Sequence, residues 1–136
     1  MYSKTITYTD FNGTERTETF YFHLSKPELL SLSTDKAKLT DLNNFEFFKY
    51  IILQSYGVKS EDGRRFVKND EIRNEFEQME AFSVIFTDLA FDSEEAIKFV
   101  RGIVPGELVD MLNDDDIKSA DPDKIVEILT GNKTNQ

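Results

Sequence analysis

Polar and apolar residues alternate along Lys4–Thr9 and again along Glu15–Leu24, the period of a half-buried strand. Ile6 and Tyr8 share one face of the first segment. Phe20, Phe22 and Leu24 share one face of the second, with Thr19, Tyr21 and His23 opposite. Asn12-Gly13 between them is a strong two-residue turn signal, because both residue types tolerate positive φ. Residues 2–24 therefore predict a β-hairpin. Two strands alone are marginal in water, so this hairpin must pack on helices or extend into a partner's sheet.

The apolar period then changes to that of helices. Ser25-Lys26-Pro27-Glu28 reads as a capping box with Leu24 stapled onto Leu29, and the helix it opens ends near Ser33. Residues 33–40 are small and charged and read as a flexible connector. A second helix is expected from about Asp41 to Tyr56, stopped by Gly57; Leu42, Phe45, Phe47, Phe48, Tyr50, Ile51, Ile52 and Leu53 cover more than one of its faces. A third runs from Asn69 or Asp70 to about Ala90, with Ile72, Phe76, Met79, Phe82, Phe86 and Leu89 spaced by threes and fours. Asp92-Ser93-Glu94-Glu95 is a further capping box, for a helix carrying Ala96, Phe99, Val100 and Ile103 that stops at Gly102–Pro105. A short segment follows at Glu107–Leu112. Asp121-Pro122 then starts a last helix ended by Gly131, ahead of a polar tail. The fold class is α+β: an N-terminal β-hairpin followed by a compact bundle of five to six α-helices. Residues 1–112 are expected to form the hairpin and helical core, and residues 113–136 an acidic linker, a short helix and a flexible tail.

Charge narrows the list of partners. The 136-residue chain carries a net charge of −10. Residues 1–70 hold ten acidic and ten basic side chains, whereas residues 71–136 hold sixteen acidic and six basic. The imbalance lies in the second half, and such a field repels phosphate backbones, so nucleic acid is disfavoured as a partner. A basic or apolar protein surface suits it better. With no cysteine, disulfides, thiolate metal sites and thiol nucleophiles are excluded. The start, MYSKTITYTDFNG, has no apolar core and is not read as a signal peptide, and no apolar run approaches a membrane span.

Catalytic chemistry finds little support. The stretch SYGVKSEDGRRFVKND at Ser55–Asp70 looks most like a site, yet it has one glycine and no Lys-Ser/Thr, so it is not a phosphate loop. Glu61 and Asp62 are consecutive and flanked by Arg64 and Arg65, unlike an acid–base pair set in opposed environments. The stretch reads as a turn, with Arg64 and Arg65 suited to pairing with the acids of a neighbouring subunit. His23, the single histidine, has no placeable nucleophile or orienting acid. A calcium loop starting at Asp114 would need Gly and Glu where Ser119 and Ile125 stand. No catalytic residue, metal ligand or cofactor is expected. The surplus of aromatics, twelve Phe and five Tyr, serves the core or a partner surface. The candidate interface residues are Phe45, Phe47, Phe48, Tyr50, Arg64 and Arg65.

The order of pieces has a precedent. TITYTDFNGTERTETFYFHLSKPEL, followed by a Phe-rich helix and LQSYGVKSEDGRRFVKNDEIRNEFEQMEAFSVIFTDLAFDSEEAIKFVRGIVP, resembles the tail assembly chaperones of long, non-contractile-tailed phages over about residues 4–105. The string SYGVKSEDGRRFVK marks the family and is not a mechanistic motif. The resemblance implies an acidic, helical, non-enzymatic protein of the host bacterial cytoplasm, absent from the mature virion. It would bind the tail tape measure protein, keep it soluble and help tail tube subunits assemble around it. It implies the major tail tube protein as a further partner and a homo-oligomer or multi-copy assembly, with no nucleic acid and no membrane. The alternative is a structural neck or tail-completion subunit of the phage particle. On the chaperone reading, SEDGRRF is a helix–helix connector.

Overall fold

A computed structural model describes residues 1–34, 39 and 41–106. The first two strands, β1 (Tyr2–Thr9) and β2 (Glu15–Phe22), form the expected antiparallel hairpin, in register from Tyr2↔Phe22 to Thr9↔Glu15. Its loop is longer than the two-residue turn expected from Asn12-Gly13. The Gly13 N–H donates to the Asp10 carbonyl and the Asp10 N–H to the Thr14 carbonyl, both at 2.9 Å. Asp10 sets that length: its Oδ1 accepts from the N–H groups of Asn12 and Thr14, each at 2.9 Å. Gly13, at φ 81°, supplies the left-handed residue that a three-residue loop requires.

Helix α1 (Lys26–Thr34) begins with the expected reciprocal cap. The Ser25 N–H donates to Glu28 Oε1 at 2.8 Å, and the Glu28 N–H donates to Ser25 Oγ at 3.3 Å. Most of the connector expected over 33–40 lies outside the described residues, as does everything expected after Gly106: the segment 107–112, the acidic linker, the last helix and the tail. Leu39, within the connector, is buried in the core.

Helix α2 (Asn44–Ser55) starts later than expected because the Asn43 side chain accepts from the Glu46 N–H while Glu46 accepts from the Asn43 N–H, a complete box at that point. Its end differs in kind. Gly57 is not a helix stop; the chain turns extended at Tyr56 and continues as strand β3 (Tyr56–Lys59), which pairs with β2 through Tyr21↔Gly57 and Phe22↔Tyr56. A short β4 (Phe66–Val67) then pairs back through Val58↔Val67 and Lys59↔Phe66. The result is a four-stranded antiparallel sheet in the order β1-β2-β3-β4, wider than the lone hairpin expected. Glycine is needed at 57 because the Phe66 ring lies over it: a Cβ there would sit 2.6 Å from a ring atom. Gly57→Ala is expected to displace that ring and to lower stability by about 2 kcal/mol in urea titration. A neutral result would show that Phe66 swings aside freely.

The single third helix expected over 70–90 is two helices, α3 (Asp70–Glu77) and α4 (Glu80–Phe91), broken at Gln78-Met79. Phe76 on α3 is buried, and so are Ala81, Ile85 and Leu89 on α4. In one straight helix Phe76 and Ile85 would point about half a turn apart, so no single face could bury both. The break lets each helix turn its own apolar side inward.

Helix α5 (Ser93–Ile103) is capped by Asp92, which accepts from the Glu94 and Glu95 N–H groups at 3.1 and 3.2 Å. The Glu95 carboxylate, expected to reach back to the cap, instead accepts from the Tyr2 hydroxyl and lies 3.5 Å from Lys4 Nζ, tying α5 to β1. At the other end the Leu24 N–H donates to the Ile103 carbonyl at 2.7 Å.

The core lies between one face of the sheet and these helices. Phe22 is at its centre, with ring centroids of Tyr2, Tyr56, Phe76 and Phe99 at 5.7–6.0 Å. The opposite sheet face carries polar pairs, Thr5–Thr19 and Thr7–Thr17, hydroxyl to hydroxyl at 2.8 Å. The architecture is α+β, with the N-terminal hairpin leading into five helices among the described residues.

Candidate functional site

The Ser55–Asp70 stretch is the β3–β4 hairpin and not a helix–helix connector. Its turn repeats the plan of the first: the Gly63 N–H donates to the Ser60 carbonyl at 2.9 Å, and Gly63 has φ 74°. Asp62 is consumed by the turn, accepting from the Ser60 hydroxyl at 2.7 Å and from the Arg64 N–H at 3.0 Å. Those bonds hold its carboxyl below the usual range. Arg64 and Arg65 are exposed at the tip, and among the described residues neither guanidinium has an ion-pair partner.

Lys68, three residues on, does more than the arginines to hold the fold. Its side chain is 10% exposed, and its ammonium donates to both Glu28 oxygens at 2.8 and 2.9 Å, to the His23 carbonyl at 2.6 Å and to the Gln54 carbonyl at 3.0 Å. One cation thus joins the end of β2, the start of α1 and the end of α2. Burial pushes the Lys68 ammonium pKa down, with Glu28 pulling against it. Burial also pushes the Glu28 carboxyl up, but the bonds from Lys68 and Ser25 outweigh this and leave it below the ordinary value. The sequence holds no local signal for this clamp, since Glu28 and Lys68 are forty residues apart.

His23 packs edge-on against Phe66 at 6.4 Å between ring centroids, and burial lowers its pKa. Where β2 and β3 part, a cleft of about 520 Å³ is lined by Glu18–Tyr21 and Tyr56–Ser60. None of His23, Asp62, Arg64 and Arg65 lines it, so the groups an enzyme would need are not gathered there. Among the described residues no cluster of His, Asp or Glu is placed to hold a metal, and no helix is long and apolar enough to cross a membrane.

The candidate interface residues divide. Phe47 and Phe48, at 1% and 5% exposure, belong to the core and offer no surface to a partner. Tyr50 is half-buried against the core. Phe45 is 51% exposed at the first turn of α2. Its ring lies 5.6 Å from Phe91, the last residue of α4, and 6.4 Å from Phe86 at the middle of that helix. Phe91 is 72% exposed, and Phe86 is half-buried and stacked on Phe82. The three rings form a continuous aromatic surface rooted in the core. Phe45 sits in the first turn of α2, whereas Arg64 and Arg65 sit on the β3–β4 turn that follows its other end in the chain. Phe91 escaped notice in the sequence because it sits just past the apolar stripe, beside the cap of the next helix.

A family model described as phage tail assembly chaperone matches residues 1–135. No curated protein and no solved structure matches the chain.

Proposed function

The chain belongs to the phage tail assembly chaperone family, and on that premise we propose that it binds the tail tape measure protein, keeps it soluble and helps tail tube subunits assemble around it. The family is not a family of enzymes, and its general role implies a phage tail protein as partner. The observation that carries the finer reading is the aromatic surface of Phe45, Phe86 and Phe91, in a domain whose other aromatics, apart from Phe11 at the tip of the first hairpin, are buried or half-buried. A holding chaperone needs apolar surface for its client and charge to keep the complex in solution. The net charge of −10 supplies the second. Weak contacts repeated by many copies along one long client would add up through avidity while leaving each copy replaceable by a tube subunit. The work is done in the host cytoplasm, before the particle is complete.

The competing reading is a neck or tail-completion subunit. It draws on β1, which forms an outer edge of the sheet and could take a neighbour's strand. Quantitative mass spectrometry of infected cells and of purified virions separates the two. The chaperone reading expects the protein in assembling lysates and its absence from virions. A fixed number of copies per particle would install the structural reading instead.

A further inference from the structure

The surface formed by Phe45, Phe86 and Phe91 has a definite shape and a definite rim. Its walls are two helices, α2 and α4, whose side chains make the surface. Recognition must therefore be through side chains. The ring separations of 5.6 and 6.4 Å are close to the spacing of neighbours three and four apart on a helix.

The rim is acidic. Asp41 and Glu46 flank Phe45 in sequence, and Asp88 and Asp92 flank Phe91; all four are exposed, although Asp88 lies 3.5 Å from Lys4 and Glu46 and Asp92 also accept from helix-cap N–H groups, so the rim is acidic on balance. The basic residue nearest in sequence to Phe45, Lys49, is held by Glu77 at 2.8 Å. We propose that this surface is the docking site for an amphipathic helix whose apolar residues recur at i, i+3 and i+4 and whose flanks carry Lys or Arg. The proposal rests on the chaperone reading for its client, and adds the site and the chemistry of the segment bound.

Fluorescein-labelled 25-residue peptides tiling the tape measure protein of the same phage, titrated with the chaperone and followed by anisotropy, test it. The wild-type protein should select peptides that are amphipathic and net positive, gain helicity on binding, and bind more weakly between about 50 and 500 mM salt. Phe45→Ser with Phe91→Ser, both at exposed positions, should keep the melting temperature and weaken binding at least about tenfold. Asp41→Asn with Glu46→Gln preserves the helix cap, since Gln serves in a capping box; it should flatten the salt dependence. If the serine variant binds the peptides and the full-length tape measure protein as tightly as wild type, the site is wrong while the chaperone reading stands. Selection of neutral or acidic peptides would overturn the proposed chemistry in the same way. If wild type binds neither peptides nor full-length client, the reading and the site fall together.

Discussion

Replacing Phe76 with alanine is expected to lower the free energy of unfolding by about 4 kcal/mol, the largest loss foreseen for a single side chain here. Phe76 is fully buried where α3 gives way to α4. Its ring stacks on Tyr56 at 4.0 Å and 13°, meets Phe82 edge-on at 5.4 Å, and lies 5.5 Å from Phe20 and 6.0 Å from Phe22. It therefore joins β2, β3 and α4 at once. Deletion removes the aromatic contacts and leaves a cavity walled by rigid rings, which cannot close well. Phe76→Leu should cost about half as much. Urea unfolding followed by far-ultraviolet circular dichroism reads both. A loss below about 1 kcal/mol for the alanine variant would mean that this cluster repacks and does not hold sheet to helices.

Lys68→Met is expected to cost about 2–3 kcal/mol, or about 10 °C in melting temperature. The methionine fills the space, but Glu28 loses its cation and the carbonyls of His23 and Gln54 lose their donor. Glu28 is about a third exposed, so water screens part of the loss. The pair also sets a pH dependence. The Glu28 carboxyl is depressed in the folded state, so its contribution is present above its ordinary value of 4.5 and lost as pH falls through the lower folded value. Stability measured between about pH 6 and 3 should fall in the wild type and fall less steeply in Lys68→Met. Identical slopes would assign the acid sensitivity to other carboxylates.

Much of the fold was legible because it is written locally. The alternation at Lys4–Thr9 and Glu15–Leu24, and the Ser25–Glu28 box, each specify their element within a few residues. What escaped depends on distance. Tyr56–Lys59 and Phe66–Val67 are too short to show a period, and Gly57 imitates a helix stop; only pairing with Tyr21 and Phe22 makes that segment a strand. The break at Gln78-Met79 was hidden because a stripe of threes and fours drifts round a helix, and the stripe alone does not show Ala81 and Ile85. At the candidate site, Phe45 was readable as surplus aromatic on a helix already apolar on several faces. Its exposure, the burial of Phe47 and Phe48, and the company of Phe91 are tertiary facts.

The turn at Ser60–Arg65 makes the same point about chemistry. Two acids and two arginines in six residues suggest a charged site, yet Asp62 is spent on shaping the loop, which the arginines join through their backbone N–H groups and not their guanidinium groups. The stabilising cation is Lys68, which a reading for motifs passes over.

Co-expression with the tape measure protein of the same phage tests the central claim most directly. Expressed alone, the tape measure protein should be largely insoluble. With this chain it should move to the soluble fraction and co-elute in size exclusion with several copies of the chaperone bound. A tape measure protein that stays insoluble, while this chain elutes by itself, would contradict the account.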